Sequence, residues 1–72
     1  MPKAPHPFLK AVGRQIRAAR TAKGWSQEHL AAEAGIDRSY MSAIERGVRN
    51  ISVLKLARIA QVMGVPLGSL LR

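Results

Sequence analysis

Arg38, Ser39, Ser42 and Arg46 stand at positions that share one side of a helix. At about 100° per residue, with Arg38 as zero, Ser42 falls near 40°, Arg46 near 80° and Ser39 near 100°. Tyr40, Met41 and Ile44 fall between about 200° and 300°. One face therefore carries two guanidinium groups and two small hydroxyls, and the opposite face is apolar. Solvent-facing helix surfaces ordinarily mix long side chains of both signs. Small side chains let a helix approach a groove closely, and arginine can donate two parallel hydrogen bonds to O6 and N7 of guanine. This is the chemistry of reading base edges in duplex DNA. Arg49 and Asn50 follow in the V-R-N-I tract between Gly47 and Ser52, as donors suited to phosphate.

Two short helices around a glycine turn would present this face. Ser26 is a good N-cap, and Glu28 follows at the positive end of the helix dipole. Gly35 stops that helix, and Asp37 caps a second one running to Gly47. The result is a helix-turn-helix pattern, whose second helix commonly enters a DNA groove. Ahead of it, Pro7 suits a first helical position, and Leu9, Val12, Ile16 and Ala19 recur at helical spacing up to Gly24. Lys10, Arg14, Arg17 and Lys23 lie on the outside of that helix, equally suited to solvent and to phosphates. Trp25, just outside the Ser26 cap, is expected to pack as a staple and not to stack on a base. Leu30, Ala31 and Ala34 form a narrow inward stripe.

Beyond the loop, Ser52 caps a fourth helix, with Ile51 and Leu56 as a hydrophobic staple. Val53, Leu56, Ala60 and Met63 make its expected core stripe. Gly64 ends it, and Pro66 is placed to begin a fifth, short helix containing Leu67, Leu70 and Leu71. Leu54 and Val62 fall off the stripe, and three leucines crowd the last six residues. Leu54, Val62, Leu67, Leu70 and Leu71 are therefore the candidate dimer contacts. The expected fold is all-α, a compact five-helix bundle with a central helix-turn-helix over residues 8–72. Residues 1–7, which hold three of the four prolines, are expected to form a flexible arm.

Composition narrows the function. The 72 residues suffice for one domain and leave no room for a catalytic domain beside it. Domains this small often gain stability by dimerising. Twelve Lys plus Arg against four Asp plus Glu give a formal net charge of +8, which calls for a polyanionic partner or tolerates one. Cysteine is absent, so neither a disulfide framework nor a thiolate metal site is available. No apolar run is long enough to span a bilayer, and residues 1–7 lack a signal-peptide core, so a cytoplasmic protein is expected.

An enzyme would need Ser26, His29 and Glu33, or His6 with His29, to assemble a site. His29 and Glu33 can meet on a helix, but an exposed helical pair is far commoner than half a catalytic constellation. No catalysis, cofactor, metal or small-molecule ligand is expected. The stronger rival is an antitoxin or adaptor that uses the same bundle to bind a protein. A basic membrane-surface helix fits poorly with core stripes and well-marked caps.

The run G-W-S-Q-E-H-L-A-A-E-A-G-I-D-R-S-Y-M-S-A-I-E-R-G, followed by S-V-L-K-L-A-R-I-A-Q-V-M-G-V, resembles helix-turn-helix regulators of the phage repressor and Cro type, the XRE-like family. The resemblance covers about residues 9 to 71, carried by Q-x-x-L-A, the turn glycine and I-E-x-G. The tract D-R-S-Y-M-S-A-I-E-R-G-V-R-N looks especially like the controller proteins of restriction-modification systems. It implies a transcriptional regulator that binds double-stranded operator DNA as a homodimer on a roughly palindromic site. By position, it implies that Gln27 contacts phosphate and that Arg38, Ser39 and Ser42 face base edges. Tyr40, Arg46, Arg49 and Asn50 match positions at or near the DNA backbone, and Arg20 with Glu45 matches a structural ion pair. Ala43 departs from members with a long polar side chain there, and Ile51 stands where proline is frequent.

Overall fold

The computed structural model describes residues 6–72. Four α-helices follow one another: α1 (Pro7–Ala22), α2 (Gln27–Ala34), α3 (Arg38–Arg46) and α4 (Val53–Met63). A four-residue 3-10 turn, Leu67–Leu70, closes the chain. The fifth helix expected after Pro66 is thus this single turn. Pro66 holds an extended backbone ahead of it, and Gly68, a poor helix former, lies within it. Residues 1–5 of the expected arm lie outside the described residues. Its last two, His6 and Pro7, belong to the folded body. Pro7 opens α1, the His6 imidazole Nδ1 accepts from the Phe8 N–H at 3.1 Å, and the His6 N–H donates to the Gly47 carbonyl at 3.3 Å.

The expected caps form. The Ser26 hydroxyl accepts from the His29 N–H at 3.0 Å, and the Asp37 carboxylate accepts from the N–H groups of Ser39 and Tyr40 at 2.9 and 3.3 Å. Ser52 accepts from the Lys55 N–H at 3.1 Å. Each such bond satisfies a donor that the first helical turn leaves free. The core gathers Val12 and Ile16 of α1, Leu30, Ala31 and Ala34 of α2, Met41 and Ile44 of α3, and Leu56, Ile59, Ala60 and Met63 of α4. Trp25 and Ile51 pack against it, half-buried.

Two expected core and surface assignments change. Val53, the first residue of α4, is 72% exposed, and Ile59 is fully buried in the core instead. Leu70 is 1% exposed and belongs to the chain's own core, so no partner can reach it. The terminal turn folds back over α4 and α1, and Val62 and Leu67 are half-buried against the core. Of the five candidate dimer contacts, Leu54 and Leu71 are exposed.

Glycine decides how closely α1 approaches α3. Gly13 is buried in mid-helix, and a Cβ there would lie 2.6 Å from the Ile44 carbonyl oxygen and closer still to that of Glu45. Gly47, with φ of 74°, ends α3 and lies so near α1 that a Cβ would meet the Lys10 Cα at 2.6 Å. Replacing Gly13 by Ala raises helix propensity by about 1 kcal/mol, yet it forces two backbones apart. The expected net result is a loss of about 2 kcal/mol and a fall in Tm of about 10 °C. Gly68→Ala, with open space around it, should leave the melting curve in place. A Gly13→Ala protein that melts at or above the wild-type temperature would show that the helices can separate freely.

Candidate nucleic-acid interface

The solvent side of α3 displays Arg38, Ser39, Ser42 and Arg46 together. With Gln27, from the start of α2, they line one open concavity of about 280 Å³ that contains no acidic side chain. The turn Gly35–Asp37 brings α2 against α3 so that residues from both helices meet there. The side chains of Arg38, Ser39 and Ser42 make no hydrogen bond to any described residue, and Arg46 Nε reaches only the Ser42 carbonyl, at 3.4 Å. Their donors are free to face an incoming ligand. Ala43, by contrast, is buried and offers nothing to that surface.

Behind this face lies an ion pair. Arg20 Nε donates to Glu45 Oε2 at 2.8 Å and a terminal nitrogen donates to Oε1 at 3.0 Å, with side chains only 11% and 4% exposed. The remaining guanidinium nitrogen donates to the Trp25 carbonyl at 2.8 Å. Gln27 Nε2 donates to Glu45 Oε1 at 3.1 Å. The residue implied as a phosphate contact is therefore already committed through one amide hydrogen, with its second directed by that bond. Glu45 thus holds Arg20 of α1, the carbonyl before the α2 cap, the first residue of α2, and α3 in one arrangement.

Tyr40, read from its angle as a core residue and by resemblance as a backbone contact, occupies an edge between the two. Its ring is half-buried against the core and its hydroxyl donates to the Asn50 carbonyl at 3.1 Å. The Arg49 guanidinium lies 4.8 Å from the ring centroid and the Lys55 ammonium 4.5 Å from it. Lys55 was invisible to spacing arguments because it lies on another helix, fifteen residues from Tyr40. Arg49 and Asn50 are exposed in the loop after α3.

Among the described residues no side-chain to side-chain hydrogen bond links Ser26, His29 and Glu33, or His6 and His29. Ser26 is occupied with its capping bond, and the His29 ring packs edge-on to Trp25 at a centroid distance of 4.5 Å. Among the described residues no group of three or more His, Cys, Asp or Glu side chains could hold a metal, and no helix is long and apolar enough to cross a membrane.

A known family, described as Helix-turn-helix, matches residues 16–70. The chain belongs to that family. Among its relatives, a hypothetical transcription factor of Neisseria meningitidis serogroup B is 45% identical over 64 residues, covering 88% of this chain and 60% of that protein's length. The restriction-modification controller protein C.AhdI of Aeromonas hydrophila superposes with a TM-score of 0.87 at 40% identity, over 90% of this chain and 98% of the controller. SinR of Bacillus subtilis, a master regulator for biofilm formation solved in complex with DNA, superposes with a TM-score of 0.80 at 37% identity, over 85% and 98% of the two chains. This helix-turn-helix protein therefore shares both sequence and fold with restriction-modification controllers and with a DNA-bound regulator.

Removing Glu45 would leave the Arg20 charge partly buried without a counter-ion. Glu45→Ala is expected to lower stability by about 3 kcal/mol, read as a fall of about 12 °C or more in Tm. An unchanged Tm would mean that the pair makes no net contribution.

Proposed function

We propose that the protein is a sequence-specific transcriptional regulator that binds double-stranded DNA as a homodimer and catalyses no reaction. The observation that carries this reading is the acid-free concavity where Gln27, Arg38, Ser39, Ser42 and Arg46 converge on the exposed face of α3. With a net charge of +8, the same surface attracts a polyanion and presents short and bidentate donors to it. Arg38, Ser39 and Ser42 face base edges in the major groove. Gln27, Tyr40, Arg46, Arg49 and Asn50 set the register through phosphates. The relatives solved as a restriction-modification controller and as a regulator bound to DNA support the reading, which implies a cytoplasmic location.

The dimer follows from the duplex. Two copies of α3 reach successive major grooves only when they stand about 34 Å apart, and a two-fold axis between them matches a roughly palindromic site. The second copy docks on a groove of about 670 Å³ rimmed by Phe8, Val53 and Leu71. These are three of the four large exposed apolar side chains among the described residues, at 54%, 72% and 42% exposure, and such a cluster on so small a domain marks a contact surface. Leu71 is common to this surface and to the sequence-based candidates.

Two measurements test these assignments. Arg38→Ala should flatten the ranking of operator variants in a binding titration, removing about 1–3 kcal/mol of discrimination at one base pair. An unchanged ranking would take Arg38 out of base readout. Val53→Asp should convert a dimer to a monomer in sedimentation velocity while the helical circular-dichroism spectrum of the folded domain is kept. If both proteins sediment alike, the two-fold contact lies elsewhere.

A further inference from the structure

We propose that Lys55, stacked with Arg49 around the Tyr40 ring, completes a second phosphate clamp that grips the DNA backbone beside the groove read by Arg38. This inference rests on the DNA-binding reading above and adds a residue from α4 to it. The two cations lie 4.8 and 4.5 Å from one ring centroid, so they stand less than about 10 Å apart, within the Debye length at 0.1 M salt. Neither cation is paired with a carboxylate among the described residues. The one ion pair among the described residues joins Arg20 to Glu45, and the first turn of α4 contains no acid.

Lys55 is also placed against the helix dipole. It is the third residue of α4, at the positive end, where carboxylates are favoured and ammonium groups are not. Arg49, Lys55 and the start of α4 thus bring three positive contributions to the surroundings of the Tyr40 ring. The aromatic ring offsets part of the cost by attracting both cations to its face. A backbone phosphate reached by both exposed side chains would relieve the remainder.

The Tyr40 ring is fixed relative to the reading face. Tyr40 follows Ser39 directly on α3, and its hydroxyl bond to the Asn50 carbonyl ties the loop carrying Arg49 to that helix. A phosphate held by Arg49 and Lys55 therefore sets how α3 lies along the groove, without touching a base. Such a contact adds to affinity equally for every sequence and adds to the salt dependence.

The experiment uses a duplex selected by the wild-type protein from random sequence, together with a scrambled duplex, each titrated across a range of NaCl concentrations. Lys55→Ala and Arg49→Ala are each expected to weaken both duplexes several-fold and to reduce the salt slope by about 0.9, with Lys55→Arg restoring the slope. The melting temperature of Lys55→Ala should stay at the wild-type value, since the side chain is exposed. A Lys55→Ala protein that keeps the wild-type slope on a duplex the wild type binds would overturn the clamp while leaving the DNA-binding reading in place. A wild-type protein that retains no duplex at low salt would overturn the DNA-binding reading itself and the clamp with it.

Discussion

Glu45 is a buried carboxylate in a domain of 72 residues, and the way its charge is met ties α1 and the start of α2 to α3. An unpaired carboxylate at that depth would cost several kcal/mol. Arg20 meets it with two parallel bonds and Gln27 with a third, while the last guanidinium nitrogen is satisfied by the Trp25 carbonyl. No donor in this network can be moved without leaving a charge exposed to an apolar interior. The pair therefore specifies the angle between α1 and α3 more sharply than the apolar contacts do. Val12, Ile16 and Ile44 can slide on one another at little cost, whereas a bidentate bond cannot.

Close approach makes that bond possible. Gly13 lets the backbone of α1 settle against the last carbonyl groups of α3, and Gly47 turns the chain away where α1 crosses. The His6 N–H donates to the Gly47 carbonyl from the same side. The C-terminal end of α3 is thus held both by backbone contacts and by the Glu45 ion pair, while the exposed face of the helix presents its side-chain donors. Rigid support beneath and free donors above are what a reading helix needs, because positioning the donors in advance limits the entropy lost on binding.

Most of this was legible in the residues. Ser26, Asp37 and Ser52 announce their caps because short polar side chains beside a helical stripe have few other uses. The Arg38, Ser39, Ser42 and Arg46 face is equally readable, since it depends on spacing within one helix. What escaped depends on neighbours that periodicity does not name. Val53 and Ile59 are both apolar residues of α4, and spacing within that helix does not say that Ile59 is covered and Val53 is not. Leu70 looked available to a partner because the terminal turn that buries it is too short to have a pattern. Gly13 reads as a weak point in a helix until the carbonyl groups facing it are known. Gln27 was assigned outward, yet one amide hydrogen points inward to Glu45.

Tyr40 shows why the functional surface does not stop at the end of α3. Its ring is packed on the core, so it moves with α3, and its hydroxyl holds the Asn50 carbonyl, so the following loop moves with it. A loop tethered in this way loses less freedom on binding than a free one, and its donors keep a set distance from Arg38. Replacing the hydroxyl alone would leave the ring and the cations beside it, while releasing the loop. The apolar half of Tyr40 therefore belongs to the fold and its polar tip to the site. In a domain this small, with a single core, a recognition surface wider than one helix has to be built from residues that serve both.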